Sequence, residues 1–348
     1  MKYPARWDYG VPAEPFFIYN GNMNLLHAFE NGGVAGISRL PDKVIETVIS
    51  KLFFFDDRVF KVYKWREGSI GDFTHPVFRK DFFRDDFRWN EAMSPETYIR
   101  LGYVRQEGNQ YVQVPESEAE DFFIEMRKIN EKNVLYTLLQ QGTVSTVDLQ
   151  SLVKTTFERL DTLTESVRDE FSDIFSISLP EMHTQDMEST RDWIRMHDDS
   201  LFKTRAGEIA ETLIRFIPSY APFRAFDTKQ YLASVDNHAG NILLEDDEVR
   251  FIDSMPPMRI WRSRSPLYIL SRPATDVEVL IGKESADHMY AEYTKLRGEP
   301  VDASERAYCQ SVAALIMALY RRSMGEEEVS DRYLSFSREK SGELGIFA

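Results

Sequence analysis

SVDNHAGNILLEDDEVRFID, residues 234–253, holds three polar residues, Asp236, Asn241 and Asp253, in a stretch that reads as loop, strand, turn and strand. Asn241 to Leu244 forms the first strand, Glu245 to Glu248 an acidic turn and Val249 to Ile252 the second strand, with Asp253 at its end. A hairpin keeps its open ends close together, so an acid and an amide before the first strand face an acid after the second.

Transfer of a γ-phosphoryl group requires a carboxylate that orients an attacking hydroxyl and accepts its proton, and oxygen ligands that hold magnesium against the phosphates. Asp236 suits the first role; Asn241 and Asp253 suit the second. For an isolated DxxxxN, an ordinary hairpin with a polar lead-in and a solvated turn is the plainer alternative. A second strand that ends in Ile252-Asp253 narrows the field.

These residues resemble the HGDxHxGNxxx…(I/F)D signature of the aminoglycoside phosphotransferase and choline kinase branch of the protein-kinase-like fold. The segment is most similar to uncharacterised bacterial aminoglycoside phosphotransferase-like proteins. Asp236 matches the catalytic aspartate, His238 the second histidine, Gly240 the glycine, Asn241 the metal asparagine and Asp253 the second metal ligand. The leading His-Gly is replaced by Ser234-Val235. In the family that histidine mainly props the loop, so the departure bears on rigidity and rate more than on the chemistry.

The resemblance implies an α+β, two-lobed protein-kinase-like fold. Residues 1–127 would form a β-rich, nucleotide-binding lobe, and residues 128–348 a mainly helical lobe that carries the hairpin. It also implies ATP in the cleft between lobes, Mg2+ as cofactor and a small-molecule hydroxyl as acceptor.

Composition agrees with a globular protein: 348 residues, 43% hydrophobic and 13% aromatic, can bury one or two cores. A net charge of −15 argues against nucleic-acid or anionic-membrane partners and would attract a cationic acceptor, although acidity also serves solubility alone. The single cysteine, Cys309, excludes an internal disulfide and reads as filler in an Ala-rich helix. No apolar run approaches a membrane span and the N-terminus lacks a signal-peptide core, so a cytoplasmic location is expected. The six histidines lack the paired spacing of a zinc site.

Outward from the hairpin, the first 40 residues read as an irregular lead-in, and NGGVAG at 31–36 as a turn, since it lacks the ending of a phosphate loop. KVIET, KLFFF and VFKVYKW then form a three-stranded meander from Lys43. Alternation sets Lys61 and Tyr63 opposite Phe60 and Val62. In the family, the third strand presents a lysine that bridges ATP phosphates to an acid on the next helix. By resemblance to the ETxxS…(V/A)YKxxK pattern that lysine is Lys61, with Lys64 as rival. Its partner would be Asp86, with Asp85 behind it, on a helix read over 81–98 with Phe83, Phe87 and Asn90 on one face. Aspartate is one methylene shorter than the family's glutamate, so either the helix sits closer or another acid pairs. Thr47 and Ser50 in ETVIS either contact phosphate or simply satisfy the turn.

Strands near 98–105 and 110–114 lead to DFFIEMRK at 121–128, the last strand and hinge, where Glu125 to Lys128, Met126 among them, would offer main-chain groups to adenine. Beyond it the period turns helical. A capped helix starts at Ser145, and others lie at about 187–216, 284–297 and 303–323, the last opened by Asp302 and Glu305. Arg259, Arg262, Arg264 and Arg272 either grip phosphates or neutralise carboxylates. Asp276, read at the start of a helix TDVEVLIG, resembles the family's aspartate that braces the catalytic loop.

Three functions follow: an ATP- and magnesium-dependent phosphotransferase, a pseudokinase-type nucleotide-binding regulator, or a kinase or nucleotidyltransferase acting on a protein.

Overall fold

Period-2 alternation from Lys43 to Tyr63 builds what it predicts, three antiparallel strands. In the computed structural model the described residues are 24–37, 39–47, 49–68, 71–167, 178–219, 231–232, 236–245, 248–256, 261–298 and 300–345. The chain divides into two units, Met1–Asn130 and Glu131–Ala348. Ser234, Val235, Arg259, the turn residues 246–247 and residues 1–23 of the lead-in lie outside the described residues.

The first unit holds a six-stranded antiparallel sheet. Its strands are β1 (Lys43–Glu46), β2 (Ser50–Phe55), β3 (Arg58–Tyr63), β6 (Tyr98–Glu107), β7 (Gln110–Gln113) and β8 (Asp121–Arg127), in the order β1-β2-β3-β8-β6-β7. A two-residue pair, β4 (Glu67–Gly68) and β5 (Gly71–Asp72), leads into helix α2 (Pro76–Met93). The lead-in is not wholly irregular: Asn24 caps a short helix, α1 (Leu25–Glu30), whose Leu25, Ala28 and Phe29 are buried. Those residues join Phe53, Phe60, Val62 and Phe123 in one core, with Phe29 stacked on Phe53 at 5.1 Å. Gly102 admits the Phe123 ring, because a Cβ there would lie 2.1 Å from it.

Tyr63 points to the opposite face, where its ring meets Phe73, Phe82 and Phe83 under α2. The helix starts five residues earlier than its sequence suggests. His75 caps it and Pro76 stands at its first position, where a missing N–H costs nothing. Its buried face comprises Arg79, Phe82, Phe83, Asp86, Trp89, Asn90 and Met93, so Phe87 lies at the edge of that face rather than on it.

The second unit is mainly helical: α3 (Leu135–Gln141), α4 (Thr146–Val167), α5 (Leu179–Met196), α6 (Ser200–Ser219), α7 (Pro266–Ile281), α8 (Lys283–Arg297), α9 (Ala303–Ser323) and α10 (Glu327–Gly342). The stretch read as one helix over 187–216 is two. It breaks at 197–199, where the Asp199 carboxylate accepts the Phe202 N–H at 3.0 Å and starts α6. Helix α7 begins ten residues before Asp276, capped by Ser265 and continuing through Pro273. It is buried from Leu267 to Glu278, as expected of a central helix. Two short antiparallel pairs interrupt the helices: β9 (Tyr231–Leu232) with β12 (Ser263–Arg264), and β10 (Ile242–Glu245) with β11 (Glu248–Phe251).

Candidate active site

The β10–β11 hairpin pairs Ile242 with Phe251 and Glu245 with Glu248. The ladder runs one step further, since the Ile252 N–H donates to the Asn241 carbonyl at 2.9 Å. Asn241 is thereby fixed beside the residue that precedes Asp253. On its other side, the Asn241 amide group donates to the Asp236 carbonyl at 2.9 Å, and its backbone N–H donates to the His238 carbonyl at 2.9 Å. Asp236, Asn241 and Asp253 therefore meet at the open end of the hairpin. The Asn241 Nδ2 serves the loop, and Oδ1 is the side-chain atom with the chemistry of an oxygen donor.

Asp253 has φ +50°, one of two non-glycine residues with positive φ among those described. Aspartate tolerates this left-handed region better than most residues, and such conformations cluster at functional sites. The side chain is exposed.

The Asp236 side chain is 52% exposed, with Arg272 Nη2 and His238 Nε2 each 3.8 Å from Oδ1. Desolvation by the surrounding protein raises its pKa above the ordinary carboxylate value; Arg272 opposes the rise, Asp253 adds to it, and solvent at the open side tempers it. His238 is buried, which lowers its pKa to about 4 and leaves it neutral at pH 7. Its Nδ1 accepts the Gly240 N–H at 3.0 Å, so the ring proton resides on Nε2, the nitrogen that faces Asp236. Gly240 is required for this contact, since a Cβ there would lie 2.7 Å from the imidazole. Behind the loop, Asp276 on α7 is fully buried and accepts the Ala239 N–H at 2.6 Å.

In the first unit, Lys61 on β3 is buried with its Nζ 3.2 Å from Asp86 Oδ2. The same carboxylate accepts the Tyr63 hydroxyl at 2.6 Å and the Asn90 amide at 2.7 Å. Asp86 is thus the acid that meets Lys61, and the short side chain suffices. The rival Lys64 pairs instead with Glu46 at 2.7 Å and donates to the Thr47 carbonyl. Thr47 and Ser50 hydroxyls lie 2.8 Å apart, and the Ser50 N–H donates to Thr47 Oγ1 at 2.9 Å, so both hydroxyls serve the turn. Met126 lies in β8, paired with Val59 of β3 and Tyr98 of β6. The next N–H groups are engaged within the unit, Arg127 with the Thr97 carbonyl and Lys128 with that of Asp57. Those two donors are therefore not the hinge donors expected from the sequence.

No known protein-family profile matches the chain, and no curated protein matches it. Solved structures do. A choline kinase from Cryptosporidium parvum Iowa II aligns over 90% of this chain and 94% of its own, with a TM-score of 0.51 and 12% identity. The chain has the kinase-like fold. A Plasmodium vivax ethanolamine kinase (TM-score 0.46, 11% identity, 86% and 83% coverage) and a thermostable aminoglycoside phosphotransferase mutant (0.47, 12%, 86% and 92%) also align.

Within that fold, the arginines that follow Asp253 have distinct partners. Arg264 is buried with Nη2 2.6 Å from Asp186, Arg262 donates to the Pro256 carbonyl at 3.3 Å, and Arg272 flanks Asp236. Sequence reasoning marked Asn90 but missed that it serves Asp86; the signal was its i+4 position on the same helical face. It also missed Tyr333, whose hydroxyl reaches Asp276 across 57 residues and which no local pattern could reveal. Among the described residues, no group of three or more His, Cys, Asp or Glu side chains could hold a metal ion, and no helix is long and apolar enough to cross a membrane.

Proposed function

We propose that the protein is a phosphotransferase that uses ATP and Mg2+ to phosphorylate a hydroxyl of a small molecule. The observation that carries this reading is the Asn241 clamp, which joins the Asp236 loop to the end of β11 and gathers one candidate base and two oxygen donors at one point. Asp236, flanked by Arg272 and the His238 Nε2–H, would orient the acceptor hydroxyl and take its proton. Asn241 Oδ1 and the Asp253 carboxylate are hard oxygen donors of the kind magnesium takes, with substrate phosphates and water completing its shell. When bound, the ion would neutralise charge on the phosphates. In the first unit, the buried Lys61–Asp86 pair has the chemistry of a phosphate-gripping lysine held by its acid, with Thr47, Ser50 and the main chain around Met126 as further proposed nucleotide contacts. The net charge of −15 favours a cationic acceptor.

The test uses ATP labelled at the γ-phosphate, with Mg2+ and a panel of amino alcohols and aminoglycosides. Asp236→Asn should lower label transfer at least about 10³-fold, while the thermal shift induced by Mg-ATP persists. Unchanged transfer in that variant would sink the assignment. Mg-ATP binding by the wild type with no label moved to any acceptor or to water would indicate a nucleotide-binding regulator. In a parallel reaction with ATP labelled at the α-phosphate, label moved to an acceptor would indicate nucleotidyl transfer.

A further inference from the structure

The Asp276 carboxylate is fully buried and divides its two oxygens between distant parts of the second unit. Oδ2 accepts the Ala239 N–H of the catalytic loop at 2.6 Å, and Oδ1 accepts the Tyr333 hydroxyl of α10 at 2.7 Å. Tyr333 is itself fully buried. Ala239 lies between Asp236 and Asn241, and both are hydrogen-bonded to the same short turn: the Asp236 carbonyl accepts the His238 N–H, and the His238 carbonyl accepts the Asn241 N–H. Whatever fixes the Ala239 amide therefore fixes the spacing of the base and the metal ligand.

We propose that Tyr333 is a positioning residue of the catalytic loop, acting through Asp276 to hold the Ala239 amide and with it Asp236 and Asn241.

A second contact from the same end of the chain points the same way. Helix α9, which packs along α10, presents Tyr320 with its ring 5.8 Å from that of His238. Arg321 in turn lies over the Tyr136 ring at 3.9 Å and pairs with Glu326 at 2.8 Å. The loop thus takes support from the two C-terminal helices, outside the catalytic motif. A buried carboxylate oxygen must find a donor, so satisfying Asp276 is the lesser role Tyr333 could have. In that case removal of the hydroxyl would cost stability and nothing else.

The kinetic half of the test rests on the phosphotransferase reading; the exchange half does not. Tyr333→Phe removes a single oxygen. Ser330→Ala serves as control: it lies on the same helix, is buried, and donates to the Ala318 carbonyl at 2.7 Å without touching Asp276. In Tyr333→Phe, hydrogen exchange at the Ala239 amide should quicken about 10-fold. The kcat for Mg-ATP hydrolysis, with water as acceptor, should fall about 10-fold or more while KM for ATP stays within about 2-fold. Ser330→Ala should lower Tm and leave all three readings unchanged. Unaltered exchange at Ala239 in Tyr333→Phe, or an equal acceleration in Ser330→Ala, would overturn the proposal. Absence of ATP turnover in the wild type would count against the phosphotransferase reading, and the exchange comparison would still decide the role of Tyr333.

Discussion

Lys61 and Asp86 lie buried beneath aromatic rings in the first unit, whereas in the second unit the Asp236 side chain is half-open to solvent. The first pair is held by side chains: Tyr63 and Asn90 occupy the Asp86 oxygens, and Phe82 and Phe83 close over Tyr63. The second group is held by backbone, through the bonds of His238, Ala239 and Asn241 around a turn. A charge fixed by packing is inseparable from the stability of its unit. One fixed by backbone bonds can be changed in chemistry with little change in fold.

That contrast can be broken by mutation. Asp86→Ala would leave the Lys61 ammonium and the Tyr63 hydroxyl buried beside a void, and should cost about 3–5 kcal/mol in urea unfolding. Asp236→Ala should stay within about 1 kcal/mol of wild type in the same measurement. A loss of similar size in both would erase the distinction.

Acid should sharpen it. His183 and His238, both in the second unit, are held by burial at about 3 and about 4. Each stays neutral when folded but takes up a proton near pH 6.5 when unfolded, so between pH 6.5 and 4 the unfolded chain binds more protons and stability falls as pH falls. Glu305, held up to about 7 by burial and Asp302, works in the opposite sense. In His183→Phe, which keeps a ring against Tyr268 and Tyr308, the slope of stability against pH over that window should fall by about 1.4 kcal/mol per unit. An unchanged slope would mean that His183 is not neutral in the folded protein.

The smallest effect is expected at the turn before β2. Thr47→Val removes the acceptor of the Ser50 N–H and should cost about 1 kcal/mol, because the Thr47 N–H bond to the Ser50 carbonyl and the Lys64 contacts remain. If Mg-ATP binding also weakens sharply, the turn contacts phosphate as well.

The strands and the hairpin were legible because alternation and turn residues are local signals, and α4 and α9 because the capping residues Ser145 and Asp302 announced them. The start of α7 was obscured by Pro273, which reads as a breaker yet sits inside a helix whose packing on all sides outweighs the missing bond. The break at 197–199 coincides with the polar run His197-Asp198-Asp199-Ser200, which interrupts the apolar spacing between Ile194 and Phe202 and carries the capping Asp199. In the candidate site, Asp236, Asn241 and Asp253 were marked by their spacing on a hairpin together with family resemblance, and Lys61 and Asp86 by strand alternation together with the same resemblance. The Tyr333 contact could not, since a hydroxyl that meets its acceptor 57 residues away leaves no periodic trace.

The left-handed backbone at Asp253 constrains what evolution or a mutagenesis library can place there. Asparagine keeps the shape and discards the charge; glycine keeps the shape and discards the side chain; every β-branched residue strains the chain at the edge of β11. Position 253 thereby separates tolerance of backbone form from the need for a carboxylate, a distinction that alanine scanning would blur.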